Sequence, residues 1–249
     1  VAGTAGGRAG GVVGAAAGVS VLGAVLHAGP ALTAIGPLRR RLFPALAGVG
    51  VPGHVALTFD DGPDPASTPA YLDTLSDLGW RATFFMLGSM ARRCPSLAAE
   101  VSAAGHEVAL HGDDHRSHLW RTPGSVGDDI RRGLDSVADA TGATPRWWRP
   151  PYGVITSGGL RTSRQAGLRP VLWTTWGRDW RAEATPATVV ADVEGNLAPG
   201  ATVLLHDSDC TSAPGAWRAG LLALPLLAES FSRLGCEVGT LAEHGRLRR

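Results

Sequence analysis

The sequence of 249 residues has few cysteines, few tyrosines and almost no net charge. Its three cysteines, Cys94, Cys210 and Cys236, lack metal-type spacing, which excludes a thiolate zinc module. Sequence separation favours Cys210–Cys236 as a bonded pair, and three free thiols is an equally good expectation. A formal net charge of +1 without a long basic run leaves no electrostatic case for nucleic acid. No Ser sits in a Gly-x-Ser-x-Gly elbow and no Cys stands beside a suitable His, which argues against nucleophilic catalysis. The apolar run Val12–Leu26 is cut by glycines and falls short of the roughly 20 residues that a membrane span needs.

What remains is the composition of a globular protein, 44% hydrophobic and 18% charged, with enough length for one large domain. Eight tryptophans against two tyrosines is an unusual balance. Trp147, Trp148, Trp173, Trp176 and Trp180 fall near polar motifs, and tryptophan packs on sugar faces as well as in cores. Trp120, Trp147 and Trp217 are further aromatic candidates for a sugar groove, with core packing the stronger expectation for each.

Residues 1–50 differ in texture from the rest. Val1 to Gly36 is rich in Gly, Ala and Val, with Arg8 its one charged residue, and Arg39-Arg40-Arg41 lies beyond it. Two readings stand: a signal-like or membrane-associated segment, or an extension packed on the outside of the domain. Arg39 to Leu46 reads as a short basic, apolar helix. Val51-Pro52-Gly53 is then the boundary, with the main domain over residues 51–249.

From His54 onward, strands and helices alternate about seven times, which predicts a parallel α/β sheet, open or closed into a barrel. Predicted strands cover His54–Phe59, Arg81–Leu87, Glu107–Leu110, Arg146–Trp148, Arg169–Thr174, Ala201–Leu205 and Cys236–Gly239. Asp60-Asp61, His111…His115, Arg149…Tyr152, Asp179 and His206-Asp207 each follow a strand. Loops at the C-terminal ends of parallel strands face one mouth, so these five clusters can converge.

Two adjacent carboxylates at the end of a buried strand need a cation, a shared proton or water. His111 and His115, four apart, can face one point. With Asp61 they make two imidazoles and a carboxylate, a set that leaves open positions on a divalent metal. Zinc would lower the pKa of a bound water to roughly 7; cobalt or another transition metal is the alternative. Asp113, Asp114 and His118 compete for ligand duty and are read as solvated loop residues. Asp60 then suits a general base, Arg149 a cation that orients it, and His206 a general acid whose pKa Asp179 or Asp207 raises. The reaction class is metal-assisted hydrolysis of an amide or ester.

The ordered set Thr58-Phe59-Asp60-Asp61-Gly62-Pro63, His111-x-x-x-His115, Arg149-Pro150-Pro151-Tyr152, Asp179-Trp180 and Leu204-Leu205-His206 resembles the polysaccharide deacetylases of carbohydrate esterase family four. The resemblance covers about residues 54–240 and implies a distorted (β/α)7-type barrel of parallel strands. It implies Asp60 as base, Asp61, His111 and His115 as metal ligands, and Arg149 as the residue orienting the base. It also implies Tyr152 as a backbone oxyanion donor, Asp179 as the partner of the acid His206, and Trp180 with Leu204 as walls of an acetyl pocket. Two positions depart from the family pattern. Gly112 stands where Ser or Thr usually follows the first histidine, and Trp176 where an Asp usually stands.

The activity so implied is removal of N-acetyl groups from N-acetylglucosamine-containing polysaccharide or glycoconjugate. Hydrolysis of another C–N bond, in a formamido sugar or small amide, and sugar binding by an inactive site are the alternatives. The partner is an N-acetylated carbohydrate, with membrane association through the N-terminus open. The apolar N-terminus tilts localisation towards the cell envelope over the cytoplasm.

Overall fold

The computed structural model describes residues 23–245, so the apolar run up to residue 22 lies outside the described residues. The sheet grows around β1 (His54–Asp60), whose residues after His54 are all buried. A strand buried on both faces is what a parallel sheet covered by helices requires. β1 pairs in parallel with β2 (Thr83–Met86), with β7 (Thr202–His206) and, near its start, with β8 (Glu237–Gly239). Outside this centre lie β3 (Glu107–Leu110), β4 (Trp147–Trp148) and β5 (Arg169–Pro170) on one side and β6 (Thr175–Trp176) on the other. The order β5-β4-β3-β2-β1-β7-β6 is parallel at every pairing, and among the described residues β5 and β6 do not pair. The result is a distorted, unclosed barrel.

Side chains alternate along β1, as the strand period demands. Leu57 and Phe59 point outward, where Phe59 meets the edge of Tyr71 with centroids 5.0 Å apart. Ala56, Thr58 and Asp60 point inward. Ala56 joins Phe85, Ala109, Trp147, Val171 and Leu241 in a small interior cluster, with Ala45 packed against it. The barrel is filled at its base and polar at its mouth.

Eight helices concern the argument. α1 (Gly36–Leu42) precedes the sheet. α2 (Thr68–Asp77), α3 (Gly88–Arg93) and α4 (Pro95–Ala103) flank β1 to β3. α5 (Pro123–Thr141) begins at a Thr122 cap that accepts the Ser125 N–H and stops at Gly142, φ +66°. α6 (Ser157–Gln165) and α7 (Pro186–Glu194) cover β4 to β7, and a last helix, α8 (Trp217–Arg233), packs against α7.

Two sequence expectations change. The strand expected over Arg169–Thr174 shrinks to Arg169–Pro170, with a separate strand at Thr175–Trp176, because the residues between bond elsewhere: Leu172 N–H reaches Leu46 O and Thr174 N–H reaches Thr202 O. Trp120 does not pack in the core; it is 85% exposed. Of the two cysteine expectations, three free thiols is the one that holds.

Candidate metal centre and active site

The inner-face residues at the ends of β1, β3, β4, β6 and β7 meet at one cleft. Asp60, His111, His115, Tyr152, Trp180, Leu204 and His206 line it, joined by Trp173, Trp176 and Thr211. Asp61 and Arg149 sit buried behind them.

The turn after β1 separates the two carboxylates. Asp61 takes φ +83°, a left-handed conformation unusual for a residue with a side chain. Gly62 follows with its Cα so near Asp207 that an added Cβ would lie 2.1 Å from a carboxylate oxygen. Asp207 accepts from the Gly62 N–H and from Thr68 Oγ and so clamps the turn. Burial pushes its carboxyl up to about 7. Asp207 therefore holds the loop rather than serving His206.

Asp61 Oδ1 lies 3.4 Å from His111 Nε2 and 3.4 Å from His115 Nε2. These three ligand atoms all fall within 4.8 Å of one another. Asp61 Oδ1 is buried without a hydrogen-bond partner, although Thr211 Oγ donates to the other oxygen at 2.7 Å. His111 Nδ1 lies 2.8 Å from Arg149 O; as the donor it leaves the lone pair on Nε2, the atom facing Asp61. Burial, outweighing the attraction of Asp61, drives the His111 pKa down to about 3, so the ring is neutral. A buried carboxylate oxygen without a donor, facing two imidazole nitrogens, fits a divalent cation.

The rivals for ligand duty are engaged elsewhere. Asp113 is buried and pairs with Arg92 and Arg132, and His118 is fully buried, stacked on Trp148 with its Nε2 3.5 Å from Asp129. They are structural, not solvated. Asp129, on α5, was not singled out by sequence. It is fully buried, pairs with Arg121 at 2.9 Å and accepts the N–H groups of Asp113 and Asp114. Burial opposes its charge, but the nearby His118 and the donors Arg121 and the Asp113 N–H win and hold the carboxyl well below the usual range. Gly112 explains itself here: its φ is +99°, and a Cβ would come within 2.8 Å of Asp129 Oδ2. The brace a hydroxyl would supply to the 111–115 loop comes from Asp129.

On one side of the cleft, Arg149 Nη1 donates to Asp60 Oδ1 at 2.6 Å and to Thr58 Oγ at 3.0 Å, while Nη2 donates to Leu172 O at 2.8 Å. Arg149 is fully buried, with Asp60 its one carboxylate partner among the described residues. Burial lowers its pKa, and Asp60 opposes that shift. Its guanidinium lies over Phe85, 4.0 Å from the ring centroid. At the position of the missing family carboxylate, Trp176 stacks on Trp173 at 5.5 Å and leans on Trp180 at 5.0 Å.

Across the cleft, His206 is held by both oxygens of Asp179. Its ring Nδ1 and its backbone N–H each donate to one, both at 2.8 Å. Burial pulls the imidazole down, but Asp179 first, then Asp61 and Asp60, overcome it and raise the pKa to about 9. With Nδ1 bonded to Asp179, the second N–H of the imidazolium remains for the cleft. Trp180 meets the His206 ring edge-on at 5.5 Å. Tyr152, φ +59°, is 60% exposed at the rim, with its ring 4.4 Å from that of His115.

Comparison with known proteins places this geometry. The polysaccharide deacetylase family model matches residues 48–171. A chitooligosaccharide deacetylase of Bradyrhizobium sp. (strain ANU 289) is 37% identical over 197 residues, covering 76% of this chain and 89% of the relative. A peptidoglycan-N-acetylglucosamine deacetylase of Bacillus cereus is 37% identical over 155 residues, 61% of this chain and 72% of the relative. The structure of a family 4 carbohydrate esterase from Streptomyces lividans in complex with acetate superposes with a TM-score of 0.67. It is 31% identical and covers 76% of this chain and 92% of that one.

Proposed function

The chain belongs to the polysaccharide deacetylase family, and we propose that it hydrolyses the N-acetyl amide of N-acetylglucosamine units in chitin-type oligosaccharide or peptidoglycan. One observation carries the reading. A buried, unpartnered Asp61 oxygen faces two histidine nitrogens, with Asp60 and His206 in the wall of the same cleft.

Asp61, His111 and His115 would hold a divalent ion, zinc first among candidates and cobalt next. Such an ion supplies Lewis-acid polarisation of the amide carbonyl and a water acidic near pH 7 in the case of zinc. Asp60, fixed by Arg149 through a 2.6 Å bond, takes the proton of the attacking water as general base. The Tyr152 N–H serves the oxyanion that develops on the carbonyl, a contribution of about 3–4 kcal/mol for a donor of this kind. His206, protonated at neutral pH through Asp179, donates its proton to the departing sugar amine. Trp180 and Leu204 wall the pocket that receives the acetyl methyl.

The enzyme acts at the cell envelope. No described helix is long and apolar enough to cross a membrane. Val25, Leu26, Leu32, Ile35, Leu42 and Phe43 nevertheless expose large apolar side chains. No acidic residue occurs before Asp60, while Arg41 is exposed. An apolar and basic surface of this kind lies against anionic lipid. Flotation with anionic vesicles tests it: co-flotation lost on Leu32→Ser/Phe43→Ser is expected, and equal recovery with and without vesicles contradicts it.

Acetate release from N-acetylglucosamine oligomers of four to six units and from peptidoglycan, each with and without added zinc or cobalt, tests the activity. Metal-dependent release is expected; an inert protein with metal bound contradicts it.

A further inference from the structure

The unclosed side of the barrel carries a feature outside the five motifs. Between β5 and β6, three successive carbonyls face no neighbouring strand, and each is capped by a different arginine. Leu172 O accepts from Arg149 Nη2 at 2.8 Å, Trp173 O from Arg39 Nη2 at 2.7 Å, and Thr174 O from Arg40 Nη1 at 2.9 Å. The first arginine belongs to the catalytic cleft; the other two come from α1. The seam is also joined through backbone, by Leu172 N–H to Leu46 O at 2.7 Å. Further along, Thr202 Oγ donates to Gly48 O at 2.6 Å and Gly50 N–H to Gly200 O at 2.9 Å. A buried carbonyl must find a donor, and at this seam the chain before β1 supplies two of the three.

Arg39 is only 2% exposed, and the described residues give it no carboxylate. Its other Nη is tied to Thr33 O at 2.7 Å, and its guanidinium lies 5.2 Å from the Trp173 ring centroid. The Arg149 guanidinium lies 5.7 Å from the same ring. Burial, then Arg149 and Arg40, bring the Arg39 pKa down to about 10. Burying a second cation near Arg149 without a counter-ion is a poor way to gain stability. What it does achieve is to fix Trp173, and Trp173 touches the site on three sides. Besides Arg149, the indole stacks on Trp176 and presses on Gly153 so closely that a Cβ there would lie 2.7 Å from its Cη2. Gly153 follows Tyr152, whose N–H serves the oxyanion.

We propose that Arg39 is a positioning residue for catalysis: by fixing Trp173 at the seam it sets Arg149, and so Asp60, which makes residues 36–50 part of the catalytic unit. The inference rests on the deacetylase reading.

The test is steady-state kinetics on an N-acetylglucosamine pentamer with saturating zinc, using the wild-type chain, Arg39→Gln, Arg39→Lys, Trp173→Phe and the double variant Arg39→Gln/Trp173→Phe. A small misplacement of catalytic groups lowers turnover more than binding, so Arg39→Gln should lose about tenfold or more in kcat with KM within about twofold. Arg39→Lys, which keeps the charge without the fork, should fall between it and wild type. If Arg39 acts through Trp173, the double variant loses no more than the worse single variant. Wild-type kcat in Arg39→Gln, or losses that multiply in the double variant, overturn the proposal. Should Arg39→Gln not fold, Arg39→Lys decides: lowered kcat at unchanged KM supports the role, and wild-type kcat removes it. An inert wild type removes the deacetylase reading and this inference with it, whereas an active wild type with an indifferent Arg39 removes the inference alone.

Discussion

Asp60 and Asp61 are neighbours in the chain and face different partners. The first has an oxygen 2.6 Å from Arg149, while the second has one 3.4 Å from each of two histidines. The left-handed backbone at Asp61, φ +83°, turns its carboxylate out of the alternation that aims Asp60 into the barrel mouth. One strand end thereby delivers two carboxylates with different surroundings to the same cleft, as the proposed base and the proposed ligand require.

Asp60→Asn should keep the fold and the metal and lose the proton acceptor. A general base contributes about 10²–10⁴-fold, so kcat should drop within that range while metal titration stays unchanged. Wild-type rates in this variant would remove Asp60 from the mechanism.

Asp179→Asn should move the alkaline limb of the rate profile. His206 must carry its proton to act as acid, and its pKa of about 9 depends on the Asp179 carboxylate working against burial. An adjacent opposite charge is worth about 1–3 units, so the limb should fall by that much and activity at neutral pH with it. An unmoved limb breaks the assignment.

Asp129→Ala should weaken metal binding although Asp129 touches no ligand atom. It holds the Asp113 and Asp114 amides between the two histidines. Loss of such a supporting contact typically costs about 10–100-fold in metal affinity. Calorimetric titration with zinc checks it, and an unchanged affinity would show that the loop holds itself.

Acid should destabilise the fold above the ordinary carboxylate range. Burial, helped by Arg81, presses His106 down to about 4; burial, helped by His54, does the same to His244. Between about 6.5 and 4 the unfolded chain binds more protons at these two sites, so their contribution is complete above 6.5 and is lost as pH falls to 4; Asp207, whose buried carboxyl keeps its proton up to about 7, opposes it with one proton over the same range. The total is on the order of a few kcal/mol. Urea midpoints across this window measure it, and His106→Gln should flatten the slope.

Much of this was legible because the chemistry sits at strand ends. His54–Phe59 and Ala201–Leu205 are apolar runs that stop at Asp60 and His206, and the parallel α/β rule turns such stops into one mouth. The grouping of Asp61 with His111 and His115, and the meeting of Asp60 and His206 at one cleft, were readable from that logic and from the family resemblance. Asp129 was not, because an acidic residue in an amphipathic helix looks solvated until its loop folds over it. Thr211 lies in a loop of ordinary polar composition, and its bond to Asp61 has no local signal. Helix α3 escaped because Leu87-Gly88-Ser89 carries no side-chain cap. The seam was hidden for another reason. The partners of Leu172, Trp173 and Thr174 include residues more than a hundred positions earlier, and local pattern does not reach that far.

The decisive measurement is metal stoichiometry by calorimetry, with the site located by anomalous diffraction, on wild type, Asp61→Ala, His111→Ala and Asp60→Asn. One ion between Asp61, His111 and His115 is expected, lost in the first two variants and kept in the third. A protein that binds no divalent ion, or binds it equally well without Asp61, contradicts the account.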